Sequence, residues 1–173
     1  MTSKSSATIR IWHENLRATA DQHRVPLSSL TLDEHIHGGL RIEISGRLVP
    51  HLGYFGPDDV CLGAWLSELG RITHAFRAAP DARCIYDEGE QGQPAFLFER
   101  VGETALFSIV DAEFSGGEAD PDWQLVAFSS RDFLSACDGY RKSFVTLLRN
   151  EAPHVADEWL HRHAQSALIE GEP

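Results

Sequence analysis

The stretch that decides the fold is residues 82–128, ARCIYDEGEQGQPAFLFERVGETALFSIVDAEFSGGEADPDWQLVAF. It contains four runs rich in β-branched and aromatic residues, separated by polar or glycine-containing segments, which predicts a four-stranded antiparallel meander. The turn Val101–Thr104 joins the middle two strands, with Gly102 free to adopt positive φ. Both faces of these strands carry apolar residues, so we expect cover on both sides. The predicted strands are ARCIY (82–86), PAFLFERV (94–101), TALFSIVD (104–111) and DWQLVAF (122–128).

The segment that precedes the first proline is ambiguous between a strand and a helix. Trp12, Leu16 and Ala20 recur at helical spacing, although the residues just before them alternate as in a strand. We predict a helix from about Trp12 to His23, because the residue before the next proline is restricted to extended conformations and ends the helix.

Residues 29–49 predict a β-hairpin, because apolar residues occupy alternate positions on both sides of a Gly-Gly pair. A three-residue loop, His37–Gly39, pairs Ile36 with Leu40 and keeps the apolar side chains on one face. A two-residue glycine turn would pair Ile36 with Arg41 and place the apolar side chains of the two strands on opposite faces of the hairpin. The sequence therefore favours the longer loop.

Three further helices are predicted outside the strands. The first begins at Pro57, where the two following aspartates favour the positive end of the helix dipole, and ends at Pro80. The second begins at a cap formed by residues 129–132, and the third begins at Pro153. Their apolar stripes are Trp65, Leu69, Ile72 and Phe76; Phe133, Cys137, Tyr140, Phe144 and Leu147; and Val155, Trp159 and Leu160.

These elements predict an α+β fold. An antiparallel sheet of about six strands, made of the N-terminal hairpin and the four-stranded meander, is packed by three or four helices. The length of 173 residues fits a single domain spanning residues 1–173. Residues 1–8 and 169–173 are expected to be disordered.

The composition excludes several function classes. The formal net charge of −11 argues against nucleic acid or an anionic membrane as a partner, because both carry like charge. The N-terminus lacks the apolar core of a secretory signal, and no apolar run is long enough to span a membrane. Cys61, Cys84 and Cys137 form no CxxC motif, which favours inert thiols in a reducing, cytoplasmic compartment.

The negative charge is concentrated in the meander. Residues 84–130 contain ten carboxylates and a single base, Arg100, and so contribute −9 of the −11. Successive turns of an antiparallel meander alternate between the two ends of the sheet, so the loops 87–93 and 112–121 should lie together. We call the resulting cluster the acidic rim; it comprises Asp87, Glu88, Glu90, Asp111, Glu113, Glu118, Asp120 and Asp122.

The acidic rim has several interpretations. It could be a solvated pair of loops that prevents aggregation, or a docking surface for a basic protein, with Tyr86, Phe114 and Trp123 as aromatic anchors. A calcium loop is a further hypothesis, because Glu118, Asp120 and Asp122 occupy alternate positions. However, Pro121 intervenes, and the glycine and distal glutamate of an EF-hand are missing. Catalytic carboxylates are the remaining interpretation.

Histidine residues are the basis of an alternative hypothesis, a metal site. His154, Glu158 and His161 stand at i, i+4 and i+7 on the predicted last helix, which would place two imidazoles and a carboxylate on one side. His35 and His37 would share a strand face. A polar surface is the commoner reason for such spacings, and the sequence contains no G-x-S-x-G, P-loop or HExxH motif. We therefore predict no catalytic residue, metal or cofactor, with a metal-dependent hydrolase as the alternative.

The order of elements resembles that of small bacterial α+β proteins of unassigned function, which include immunity proteins of polymorphic and contact-delivered toxin systems. The resemblance covers residues 28–150 and rests on DDVCLGAWLSEL (58–69), YDEGEQGQPAFLFERVGETALFSIVD (86–111) and DWQLVAFSSRDFLSACDGYRKSFVTLL (122–148). It includes no diagnostic motif, so it assigns no residue a role.

The resemblance implies a cytoplasmic, non-enzymatic protein that binds a cognate toxin and covers its active site, and the acidic rim leads us to expect that this toxin is basic. The residues expected to contact the toxin are Asp87, Glu88, Glu90, Glu113, Glu118, Asp120, Asp122, Tyr86, Phe114 and Trp123. An adaptor, a housekeeping protein, a subunit of a larger assembly and a homodimer remain open.

Overall fold

The computed structural model describes residues 8–21 and 23–165, which form an α+β fold with two antiparallel sheets and three α-helices. Of the residues predicted to be disordered, 1–8 and 169–173, only Thr8 falls inside this part of the chain, and its carbonyl accepts a 2.8 Å hydrogen bond from the Ser45 N–H. The elements are β1 (Ile9–Ala20), β2 (His23–Val25), β3 (His35–Ile44), β4 (Arg47–Leu48), β5 (Val60–Cys61), α1 (Leu62–Ala78), β6 (Arg83–Tyr86), β7 (Ala95–Val101), β8 (Thr104–Val110), β9 (Val126–Ser129), α2 (Ser130–Glu151) and α3 (Ala156–His163).

The meander predicted from residues 82–128 is confirmed. Strands β6 to β9 form one four-stranded sheet in sequence order, and every neighbouring pair is antiparallel. Val101 pairs with Thr104 across a two-residue turn, and Gly102 adopts a φ of 61° there. The last strand is shorter than predicted, because β9 begins at Val126 and residues 122–125 form a turn in which Leu125 adopts a φ of 52°. In the first three strands local turn chemistry and strand propensity agree, which is why the sequence predicts them well.

The helix predicted from Trp12 to His23 is wrong, because these residues belong mostly to strand β1. A β-bulge between Glu14 and Arg17 inserts an extra residue, and Asn15 adopts a φ of 51°. The bulge shifts which alternate positions point inward. The buried apolar residues of the strand are Ile9 and Ile11 before the bulge and Leu16 and Ala18 after it.

The hairpin loop predicted at His37–Gly39 is also wrong, because β3 continues through it and pairs with β1. A Cβ at Gly38 would lie 2.8 Å from both the Glu14 carbonyl oxygen and the Leu16 side chain. Gly38, which has no side chain, therefore allows the bulged strand β1 to approach β3 closely. The turn lies instead at Ser45-Gly46, where both residues have positive φ, as in the favoured two-residue hairpin.

The single sheet of about six strands is replaced by two sheets. The N-terminal sheet has the order β2-β1-β3-β4, and β5 also pairs with β3. Helix α1 contacts strands of both sheets, as does α2, so their apolar sides share one continuous core. The predicted number of strands was too low because β1 was assigned to a helix and β5 to a helix start, and the short strand β2 was not predicted.

Helix α1 begins at Leu62 rather than at Pro57, and residues 57–61 form a turn and strand β5. The predicted apolar stripe is confirmed, and the helix ends at Ala78, shortly before Pro80. Its four stripe residues, Trp65, Leu69, Ile72 and Phe76, are all buried.

The cap of α2 is confirmed, because the Ser129 hydroxyl accepts a 3.2 Å hydrogen bond from the Asp132 N–H. The stripe closes with the buried Leu148 instead of Leu147. Helix α3 begins at Ala156, three residues later than predicted, and its docking residues Val155, Trp159 and Leu160 are buried. None of the helices described here is both long and apolar enough to cross a membrane.

Candidate binding surface

The two loops of the acidic rim lie against each other, as the meander predicts. One loop, residues 87–94, connects β6 to β7, and the other, residues 111–125, connects β8 to β9. The Gly92 N–H donates to the Ser115 carbonyl at 2.8 Å, and the Ser115 hydroxyl donates to the Gln93 carbonyl at 2.5 Å. Residues more than twenty positions apart therefore form one surface.

Gly117 permits this close contact between the loops. A Cβ at this position would overlap the main chain of Gln93 and the nitrogen of Pro94. The Gly117 carbonyl also accepts a 2.9 Å hydrogen bond from the Ala112 N–H, which closes the second loop on itself. The loop pair is thus held by main-chain contacts that depend on a residue without a side chain.

Part of the acidic rim is open to solvent. Two basic residues in or just after the N-terminal sheet reach it: the Arg47 guanidinium donates to the Asp122 carbonyl at 3.0 Å, and the His51 ring lies 3.2 Å from the Asp120 carboxylate. These contacts do not cover the other carboxylates. The exposed acids are Glu90, Asp111, Glu113, Glu118 and Asp122.

Two acids that were predicted to contact a partner, Asp87 and Glu88, instead make contacts within the fold. The Glu88 carboxylate accepts a hydrogen bond from the Gly53 N–H at 3.1 Å, and burial raises the pKa of Glu88. One Asp87 oxygen accepts from the Gly89 N–H at 2.8 Å, and the other is buried. Both residues are half-buried and make contacts within the fold, so they offer less to a partner than the exposed acids of the rim.

Replacing Glu88 with glutamine should raise the free energy of unfolding at neutral pH. Because the pKa of Glu88 is higher in the folded protein, the folded state binds the proton more tightly and loses stability as pH rises through that pKa. Glutamine removes the buried charge and keeps an oxygen for the Gly53 N–H. Urea unfolding should show that Glu88→Gln is more stable than the wild type at neutral pH, and that this difference shrinks as the pH falls towards the ordinary pKa of glutamate.

The control for this substitution is Glu90→Gln, which makes the same change at an exposed position of the same loop. Its effect on unfolding should vary less with pH. A Glu88→Gln protein that is less stable than the wild type at neutral pH would show that the carboxylate charge itself supports the loop.

Two of the three predicted aromatic anchors are unsuited to that role. Trp123 is only 4% exposed, with the Arg47 guanidinium stacked 4.4 Å from its ring. The Tyr86 ring packs edge-on against Trp65, with 4.7 Å between centroids, and burial raises the pKa of Tyr86. Phe114 remains, because 85% of it is exposed on the second rim loop.

A third segment borders the acidic rim, and sequence reasoning missed it. We call residues 50–59 the aromatic loop. It carries Tyr54 and Phe55, which are 50% and 78% exposed and contact each other edge-on at 4.8 Å. Its Gly53 peptide is held by Glu88 from one side and by Gln93 from the other. The available signal was the sequence Gly53-Tyr-Phe-Gly56, two adjacent aromatic residues between glycines.

The alternative metal site is not assembled. His154 precedes α3, and its Nε2 lies 2.9 Å from the Leu30 carbonyl, while Glu158 and His161 are exposed on the helix. Within residues 8–21 and 23–165, no group of three or more His, Cys, Asp or Glu side chains is placed to hold a metal ion. The predicted spacing failed because the helix begins too late to include His154.

The calcium hypothesis also loses its basis in the local geometry. One oxygen of Asp120 accepts a 2.9 Å hydrogen bond from the Asp122 N–H, and the other lies beside His51. Glu118 is exposed. The alternating acids therefore build a turn that is stabilised by its own main chain.

A cysteine nucleophile is disfavoured by its surroundings. Cys61 lies opposite His37 in the β3–β5 pair, and the His37 Nδ1 lies 2.9 Å from the Asp59 carboxylate. Burial raises the pKa of the Cys61 thiol, and the carboxylates of Glu88 and Asp59 raise it further. Burial also raises the pKa of Cys84 and Cys137. The thiols therefore stay protonated near neutral pH, where they are weak nucleophiles.

A scan against protein-family models found no match to this chain. Searches of the curated proteins and of the solved structures likewise found no match. The function must therefore be argued from the chain itself.

Proposed function

We propose that this protein is an immunity-type inhibitor, which binds a basic protein toxin through the acidic rim and occludes its active site. The observation that carries the proposal is the convergence of two distant loops into one surface with five exposed carboxylates. The loops are joined by the hydrogen bonds of Ser115 with Gly92 and Gln93, so the main chain that carries the charged residues is fixed. A defined charged surface can orient a partner as well as attract it.

The mechanism is electrostatic and steric. Enzymes that act on nucleic acids or nucleotides bind phosphate groups with lysine and arginine, so their active sites are cationic. An anionic protein surface of fixed shape competes for those side chains and covers the site. Complementary charge also accelerates the encounter between the two proteins, and this effect weakens as salt is added.

An aggregation-preventing role alone fits the surface less well. Phe114, near the start of the second rim loop, is 85% exposed. An exposed phenylalanine opposes solubility, whereas an aromatic side chain surrounded by charged groups is a common anchor in protein interfaces. The metal-dependent hydrolase has lost its support, because His154, Glu158 and His161 do not form a cluster.

Reversing the charge of three exposed rim acids should slow binding. The wild-type protein is used to capture a basic polypeptide from an extract of the native cells at low salt, and the purified partner is assayed for inhibition. In the variant Glu90→Lys/Glu113→Lys/Glu118→Lys, we expect the association rate at low salt to fall about tenfold or more, and its salt dependence to flatten.

The control carries the same charge change outside the rim, at Glu103, Glu151 and Glu158, all of which are exposed. Glu103 lies in the turn at the opposite end of the meander. We expect this control to retain most of the association rate. Equal rates for the rim variant and the wild type, or a captured partner whose activity is unchanged by stoichiometric binding, would refute the proposal.

A further inference from the structure

We propose that the partner surface has an apolar half, formed by the aromatic loop and Phe114, and that it accepts a protein segment that presents basic side chains next to apolar ones. This inference rests on the proposed function and extends it from a charged surface to a mixed one. It assigns a contact role to Tyr54 and Phe55.

The aromatic loop is attached directly to the acidic rim. The Gln93 side-chain amide donates to the Gly53 carbonyl at 2.9 Å, and the Gln93 main-chain carbonyl accepts from the Ser115 hydroxyl at 2.5 Å. One residue therefore connects all three segments. Glu88 adds a second link through the Gly53 N–H, and His51 adds a third through Asp120.

The aromatic side chains are held on a tight turn. The Gly56 N–H donates to the Gly53 carbonyl at 3.1 Å, so Tyr54 and Phe55 occupy the two central positions. Gly53 has a φ of 72°, and a Cβ there would lie 2.7 Å from the Gly56 carbonyl oxygen. Anchored aromatic side chains lose little conformational entropy on binding, which favours their use as contact residues.

Exposed apolar side chains are concentrated in this region of the described chain. Of seven large hydrophobic residues that remain exposed, three are aromatic, and all three lie on the aromatic loop or the second rim loop. Two more, Leu48 and Leu125, lie within two residues in the sequence of Arg47 and Trp123, whose side chains stack between the N-terminal sheet and the rim. A local concentration of this kind indicates an interaction site, whereas isolated exposed residues do not.

Charge selects the occupant of this surface. A second copy docked through the same face would bring two sets of exposed carboxylates together and be repelled. Anionic lipid and nucleic acid are repelled for the same reason. A polypeptide segment with lysine or arginine next to apolar side chains satisfies both halves of the surface.

Short synthetic peptides test this preference. One peptide has lysine and leucine arranged as an amphipathic helix; the second has the same number of lysines with serine in place of leucine. We expect calorimetry to show that the wild type binds the first peptide about tenfold more tightly, because burial of apolar side chains adds to the charge attraction. The variant Tyr54→Ser/Phe55→Ser should lose that preference.

The matched control is Val101→Ser, which removes a 62% exposed apolar side chain at the opposite end of the meander. It should keep the wild-type preference. An unchanged preference in Tyr54→Ser/Phe55→Ser would overturn the inference. Concentration-dependent self-association that this variant abolishes would also overturn it, because the occupant would then be a second copy.

The rim variant separates this inference from the proposed function. If charge reversal abolishes peptide binding and the aromatic substitutions have no effect, the proposed acidic binding surface is supported. The apolar half proposed here is then refuted. If neither set of substitutions alters peptide binding, both proposals fail. Thermal unfolding of each variant verifies that the substitutions at these exposed positions leave the fold intact.

Discussion

Replacing Trp159 with alanine is expected to lower the free energy of unfolding by about 3–5 kcal/mol, as found for large aromatic residues removed from packed cores. Trp159 is fully buried in α3 and stacks on His163 at 4.8 Å between ring centroids. Its ring also lies so near Gly63 that a Cβ there would be 3.1 Å from it. The substitution leaves a cavity between α3 and the start of α1.

A hydrogen bond adds to this loss. The Trp159 indole N–H donates to the Glu34 carbonyl at 2.8 Å and so ties α3 to the segment before β3. In Trp159→Phe, most of the ring volume remains but the carbonyl loses its partner, and we expect a cost of about 1–2 kcal/mol. The difference between the two variants separates the packing contribution from the hydrogen bond.

Urea unfolding followed by circular dichroism measures both effects. Trp12→Ala is the control, because Trp12 lies on the partly exposed face of β1 and its indole contacts a side chain two residues away. Its cost should be much smaller than that of Trp159→Ala. Equal costs for the two alanine variants would show that α3 docks weakly and is dispensable for the core.

The role of Trp159 was accessible from the sequence, whereas the course of β1 was not. In α3 the apolar residues follow the helical period over the whole element. The helix begins three residues later than predicted, but the same apolar residues are buried. In β1 the bulge at Glu14–Arg17 breaks the alternation, so inward positions change from odd to even. Trp12, Leu16 and Ala20 then imitate helical spacing. A pattern that is periodic in three dimensions can therefore be aperiodic in sequence.

The Gly38-Gly39 pair was wrongly predicted to lie in a hairpin loop, for a different reason. Adjacent glycines are a strong turn signal, yet here they lie within a strand next to the bulge. The apolar residues Ile36, Leu40 and Ile42 keep the same parity across the pair, and this unbroken alternation was the signal for a continuous strand. Turn propensity is local, whereas the need for glycine arises from the neighbouring strand.

The candidate surface was predictable in position but not in detail. Antiparallel alternation alone places the two rim loops together, and their hydrogen bonds follow from that topology. The inward direction of Glu88 and the burial of Trp123 depend on residues 47–53, which approach from the other sheet. Contacts between distant segments decide which loop side chains face solvent, and no local pattern encodes them.

Replacing Gly117 with alanine is expected to lower the free energy of unfolding by about 1–3 kcal/mol, the usual cost of overfilling a packed site. The new Cβ would overlap the main chain of Gln93, which cannot move aside as a flexible side chain would. The second rim loop must therefore shift away from the first. The hydrogen bonds between Ser115 and residues 92–93 would then be strained or lost.

Partner binding should weaken in the same variant, although no charge has changed. If the acidic rim works as a shaped surface, separating its loops lowers affinity for the captured partner even while the five exposed carboxylates remain. Gly139→Ala is the control: it makes the same substitution at an exposed position in α2 with open space around it, and should raise stability by about 0.5–1 kcal/mol.

The pair of variants distinguishes shape from charge. Gly117→Ala with unchanged binding would show that the partner responds to net negative charge alone, because the loops can separate without consequence. Reduced binding in Gly117→Ala, with wild-type binding in Gly139→Ala, would mean that the partner recognises the positions of the carboxylates. That outcome is expected, because Gly117 is the residue that allows the two loops to share one surface.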